Sequence, residues 1–117
     1  MFADPIPNIT YDSVAKTLAR ISSVGQKSIY QTSDGSLVAT VSHQKSGSGK
    51  IRSVFRLDRN VDVNSDLVLE TQSCYVVVER PFTGFSETDT INIVTCLCNA
   101  LTASTNAGIK KLYAQES

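Results

Sequence analysis

The sequence holds a single histidine, His43, and that scarcity removes most nucleophilic catalysis at once. A serine or cysteine triad needs an imidazole, and alternation along the surrounding strand puts His43 on the apolar-facing side. A partly buried or turn-proximal structural histidine is expected. Cysteine is scarce too: Cys74, Cys96 and Cys98 are odd in number and lack CxxC spacing. On a helix Cys96 and Cys98 point in different directions, which argues against a shared metal and for buried thiols in a reducing cytoplasm. No apolar run approaches the length of a membrane span. The opening MFADPIPNITYD has an acidic residue and two prolines where an export signal has a basic region and an apolar core, so no export is expected. Asp34, Asp58, Asp62 and Asp66 are spaced for turns and loops, not for a calcium loop or a carboxylate pair. The turn SGSGK lacks the earlier glycine, the following hydroxyl and the following helix of a phosphate loop. The expectation is therefore no enzyme, no cofactor, no metal, no small-molecule substrate and no membrane partner.

Net charge is also absent, but the zero hides an asymmetry. Lys16, Arg20, Lys27, Lys45, Lys50, Arg52, Arg56 and Arg59 stand against only Asp34 and Asp58 in the stretch they span. From Asn60 onward the carboxylates Asp62, Asp66, Glu70, Glu79, Glu87, Asp89 and Glu116 outnumber Arg80, Lys110 and Lys111. A basic half is commonly just a solvated surface; it gains weight as a signal when its cations share one face.

Such a face is written into residues 36–63. Leu37, Ala39 and Val41, then Ile51, Ser53, Phe55 and Leu57, alternate on either side of a Gly and Ser cluster, which reads as a long antiparallel hairpin with one apolar face. The opposite face carries Val38, Thr40, Ser42 and Gln44 beside Arg52, Val54 and Arg56. Small hydroxyls and guanidinium groups on a sheet suit a phosphate-rich polymer better than a catalytic cleft.

With 117 residues the chain is expected to form one α+β domain, an arm and antiparallel sheet over residues 1–85 and helices over 86–117. Residues 1–13 read as an extended arm with a brief edge strand. Residues 14–24 fit helix and strand alike, and the β-branched ends and following Gly25 favour strand. Residues 27–33 form a strand ending at the turn signal Asp34-Gly35, and residues 67–80 form a long strand ended by Pro81, with Cys74, Val76 and Val78 on one side and Tyr75, Val77 and Glu79 on the other. Ser86-Glu87-Thr88-Asp89 has the form of a capping box, and Ile91, Val94, Leu97, Cys98 and Leu101 then recur at helical spacing up to Ser104, with Asn106-Ala107-Gly108 as the stop. A second short helix covers residues 109–114. So few helical residues cannot cover five long strands, so a second copy is expected to complete the cover.

The hairpin LVATVSHQKSGSGKIRSVFRLD, the strand QSCYVVVERPF and the closing segment SETDTINIVTCLCNALTASTNAGIKKLY resemble the coat proteins of single-stranded RNA bacteriophages, the leviviruses. The resemblance implies an antiparallel meander followed by two helices and an interlocked homodimer that tiles an icosahedral capsid, assembled in the bacterial host cytoplasm. It implies Ile91, Val94, Leu97, Cys98 and Leu101 in the dimer interface. It also implies an inward sheet face that binds genomic RNA, including an operator stem-loop whose binding represses replicase translation. Carried over, that RNA face comprises Thr40, Ser42, Gln44, Arg52, Val54, Arg56, Tyr75, Val77 and Glu79; on physical grounds Lys45 and Lys50 are expected to hold phosphates together with Arg52 and Arg56. Residues 59–66, with Arg59, Asn60, Asp62, Asn64 and Asp66, correspond to the loop between dimers. Val54 stands where the family pattern has a lysine and Val77 where it has an asparagine. A non-viral, dimeric, single-stranded nucleic-acid-binding module remains the alternative, since the same cationic face suffices for it.

Overall fold

The computed structural model describes residues 2–7 and 9–116. Its backbone divides into two compact units, Met1–Glu79 and Arg80–Ser117.

In the first unit, β1 (Thr10–Tyr11) and β2 (Val14–Ala15) pair as a two-stranded ribbon, so the brief strand in the arm does not join the main sheet. The main sheet runs β3 (Ala19–Val24), β4 (Lys27–Gln31), β5 (Leu37–Lys45), β6 (Lys50–Val61) and β7 (Glu70–Pro81), with sequence neighbours paired throughout: a meander. Residues 14–24 are thus strand rather than helix, in two pieces separated by 16–18. A bulge between Arg20 and Ser22 sends Arg20 to the Tyr30 side of the sheet, where its guanidinium donates to the Tyr30 hydroxyl and to the Phe2 carbonyl at 2.7 Å. The Asp4 carboxylate accepts from the Arg20 backbone N–H at 2.9 Å, so one residue ties the arm down twice.

The hairpin β5–β6 follows its alternation. Thr40 pairs with Arg56 and Ser42 with Val54 on one face, and Ala39 pairs with Leu57 and Val41 with Phe55 on the other. The second face forms the core: Ile6, Leu18, Tyr30, Leu37, Ala39 and Val41 are buried, with Ile9, Phe55 and Leu57 packed against them. His43 lies near the hairpin turn but is exposed, its Nδ1 bonded to Ser53 Oγ at 2.9 Å; the core ends at Val41, so no partial burial reaches it. The three cysteines are exposed as well, against the expectation of buried thiols.

The Asp34-Gly35 turn closes β4 onto β5 through one carboxylate. Asp34 Oδ1 accepts from the Ser36 backbone N–H, the Thr32 hydroxyl and the Ser36 hydroxyl, and Gly35 supplies a φ of +75°. Those bonds, the Ser36 N–H first, lower the Asp34 pKa to about 2. A carboxyl depressed in the folded state stabilises the fold above its unfolded pKa and loses that contribution as pH falls through the folded value. Asp34→Asn is therefore expected to flatten the acid limb of thermal stability between about pH 4 and pH 2. Unfolding curves identical in slope for parent and variant there would show the turn to be indifferent to its charge.

After β6 the expected strand at Leu67 starts late, at Glu70. Asp62 accepts from the Asp66 and Leu67 backbone N–H groups and Asp66 from that of Val68, while Ser65 and Leu67 take φ of +56° and +65°. Backbone donors claimed by side chains cannot join a ladder.

In the second unit Ser86 caps α1 (Glu87–Tyr113): its hydroxyl accepts from the Asp89 N–H at 3.1 Å while the Asp89 carboxylate accepts from the Ser86 N–H at 3.0 Å. Where two closing helices were expected, one helical element is found, broken internally. Ala103 has ψ of 150° and Ser104, Thr105 and Asn106 all have positive φ, after which helical backbone resumes through Gly108 to Tyr113. The break begins at Ala103, beside the expected helix end at Ser104, but Gly108, expected in the stop, belongs to the second segment. No side chain of α1 is buried.

Candidate nucleic-acid interface

The face of the sheet opposite the core collects most of the residues singled out from sequence. Register places Thr40 beside Arg56, Ser42 beside Val54 and Gln44 beside Arg52. On β7, Glu79 pairs with Arg52 at 3.7 Å, Tyr75 lies under Arg56, Ser73 bonds Asp58, and Thr71 donates to Asn60. Numbers fall along one strand as they rise along the other, two for two, so β6 and β7 are antiparallel and Val77 stands next to Val54. These two valines, both half-buried, form a small apolar floor between the two arginines.

Three corrections follow from the geometry. Lys45 pairs with Ile51, on the side of Val41 and His43, so it reaches only the hairpin tip, where it borders a cavity of about 340 Å³ with Gln44, Ser46, Lys50 and Arg52. Arg59 and Asn60 lie within β6 rather than in a loop. Arg59 pairs with Leu37 and stacks on Tyr11 at 4.8 Å from the ring centre, and Asn60 donates to the Gly35 carbonyl. Asp62, Asn64 and Asp66 do occupy a loop, and there Asn64 bonds Glu70 at 2.6 Å.

One cation was missed. Lys27 pairs with Ser42 across β4 and β5, so it faces the same way, and it borders a shallow cavity of about 430 Å³ with Thr40, Ser42, Gln44, Val54 and Arg56. The signal was the turn at residues 32–36, whose length sets that register.

The cationic face is also less cationic than the alternation implied. Arg52 has the Glu79 carboxylate beside it, both about half exposed, a pairing worth little. Arg56 is held harder. Its Nε donates to Asp58 Oδ1 at 2.9 Å and Oδ2 at 3.2 Å, its Nη2 donates to Ser73 Oγ at 3.1 Å, and its carbon lies 5.5 Å from the Tyr75 ring centre. Desolvation pushes the Asp58 carboxyl up, but the bonds from Ser73 and Arg56 and the guanidinium charge outweigh it and leave its pKa below the ordinary value. What remains is Lys27, Lys50, Arg52 and Arg56, offset by Asp58 and Glu79, set among hydroxyls, an amide and an exposed tyrosine. Such a surface can hold phosphates and stack bases. Among the described residues no cluster of His, Cys, Asp and Glu is arranged to hold a metal ion, and no helix is long and apolar enough to cross a membrane.

No family model matches the sequence, and no curated protein matches it. Solved structures do. The coat protein of bacteriophage EMS014 aligns with a TM-score of 0.71 at 16% identity, covering 86% of this chain and 87% of that one. The same phage's virus-like particle gives 0.67 at 16% identity over 86% of each chain. A structure titled as an unassembled virus coat protein dimer, a bacteriophage RNA-binding dimer, gives 0.61 at 15% identity over 87% of this chain and 84% of that one. The chain therefore has the fold of bacteriophage coat proteins, a β-meander followed by a C-terminal helix.

Proposed function

We propose that this chain is the coat protein of a single-stranded RNA bacteriophage. It forms a homodimer in which the helices supply the apolar cover that a lone chain lacks, the dimers build a closed icosahedral shell, and the sheet face opposite the core contacts packaged genomic RNA. The observation that carries this reading is the two-sidedness of the sheet: Ala39, Val41 and Leu57 on one face, Lys27, Thr40, Ser42, Arg52, Arg56 and Tyr75 on the other, in a fold shared with phage coat proteins. The exposed apolar side chains of α1, among them Ile91, Ile93 and Leu97, support the dimer, since a helix in water gains most of its stability from an apolar face packed against something. Loop residues Asp62, Asn64 and Asp66 meet neighbouring dimers. The RNA face takes an unpaired segment of an operator stem-loop, and with Val54 and Val77 at its centre it does so by charge and stacking more than by base-edge hydrogen bonds.

Negative-stain microscopy of the protein expressed alone tests the reading, with closed shells of uniform diameter as the expected result. Only small soluble species across a range of salt conditions would reject it. Within such shells, Arg52→Ala combined with Arg56→Ala is expected to leave assembly intact and reduce packaged RNA, because two cations are removed and the Glu79 and Asp58 charges on the RNA face are then no longer offset by them. For the dimer in solution, the dependence of binding on log salt should become shallower by about 2. Equal RNA content in parent and variant particles would remove both arginines from the contact.

A further inference from the structure

The bonds around Arg56 bear on how a base is held, and the inference rests on the RNA-binding reading above. Asp58 spans both of its carboxylate oxygens across Arg56 Nε, Ser73 Oγ takes one Nη2 hydrogen, and Ser73 in turn donates to Asp58. A guanidinium fixed at two of its three nitrogens cannot rotate freely. Its carbon lies 5.5 Å from the Tyr75 ring centre, so the guanidinium covers one side of that ring. Yet the Arg56 side chain is 46% exposed, and among the described residues its Nη1 hydrogens have no protein partner.

We infer that an unstacked base of the bound RNA stacks on the outer plane of the Arg56 guanidinium, with Tyr75 as the layer beneath and Asp58 and Ser73 as positioning residues that hold the plane flat. Arginine planes stack on bases as aromatic rings do, and a guanidinium backed by an aromatic ring gains from attraction to both layers. The arrangement also gives Asp58 a purpose that phosphate binding alone does not. A carboxylate on a polyanion-binding face lowers affinity for every phosphate, whereas here it converts a flexible cation into a rigid shelf. Thr40, beside Arg56 in the register, and the 430 Å³ hollow that both border leave room for a nucleotide next to that shelf, with Lys27 at the rim for its phosphate.

The test compares the full-length protein's affinity, by fluorescence anisotropy at fixed salt, for a short oligoadenylate and for an abasic ribose-phosphate strand of the same length. The parent is expected to prefer the base-bearing strand by about tenfold. Arg56→Lys keeps the charge and loses the plane, so it should hold the abasic strand within about twofold of the parent and lose the preference. Asp58→Asn should bind the abasic strand more tightly and still lose most of the preference. Had the base been stacking on Tyr75 itself, Arg56→Lys would keep or enlarge the preference, and that result overturns the inference. An unchanged preference in Asp58→Asn does so too, whatever Arg56→Lys does to folding. A parent that binds both strands equally overturns the shelf and leaves RNA binding standing. A parent that binds neither overturns both.

Discussion

Leu97→Asp is expected to abolish dimer and shell while leaving the separate chain folded. Ile91, Val94, Leu97, Cys98 and Leu101 recur along α1 at the spacing of one helical stripe, and the single chain covers only part of it: Val94 and Leu101 are half-buried, while Leu97 is 47% exposed and Ile91 56%. A charge at a position already open to water costs the lone subunit little. The proposed interface is where the cost falls. Burying a leucine fully is worth about 1.5–3 kcal/mol, and a two-fold interface contains the position twice. Replacing each with a carboxylate adds desolvation that no cation on the stripe relieves, so the dimer should lose roughly 5 kcal/mol or more. Size-exclusion chromatography with light scattering reads the outcome directly: particles or dimers for the parent, monomer-sized species with parent-like circular dichroism for the variant. Assembled, soluble Leu97→Asp particles would put the stripe outside the interface and require another cover for α1.

Much of the fold was legible because its signals are local. Residues 36–63 announce a hairpin by alternation on either side of a Gly and Ser turn, and the Ser86 capping box needs only four residues to state where a helix begins. The misses are places where local signals compete. Leu67, Val68 and Leu69 are as apolar as any strand, but Asp62 and Asp66 take the neighbouring N–H groups first, and Leu67 ends up 94% exposed. Asn106-Ala107-Gly108 is a good stop signal, yet the non-helical residues are Ala103, Ser104, Thr105 and Asn106, and Gly108 lies in the second segment, closely packed against the first. The polar face shows the same division. Thr40, Ser42, Val54 and Arg56 follow from alternation plus one turn length, whereas Lys27 joins them only through the β4–β5 register. The Asp58 clamp on Arg56 sits two residues along the same strand and was within reach of alternation, but its Ser73 partner depends on how β7 pairs, which no single-strand pattern reveals.

Gly108→Ala is expected to be the most damaging conservative change in the helical unit. A Cβ at Gly108 would lie 2.6 Å from the Ala100 carbonyl oxygen and 2.9 Å from the Leu101 Cα, both backbone atoms that no rotamer change can move aside. Eight residues along an uninterrupted helix would be about 12 Å away, so this closeness means that the chain folds back across 103–106 and lays its second segment on the first. Glycine is required here for approach, not for its dihedral freedom. Alanine would otherwise favour helix by about 1 kcal/mol, so propensity predicts a gain and packing a loss. Overpacking typically costs about 1–3 kcal/mol, and contact with immovable backbone belongs at the upper end, so packing wins. Thermal unfolding followed at a helix-sensitive wavelength should show a lowered midpoint for Gly108→Ala and a larger drop for Gly108→Val. A raised midpoint for the alanine variant would mean that the two segments do not touch and that α1 is straighter than its backbone angles make it.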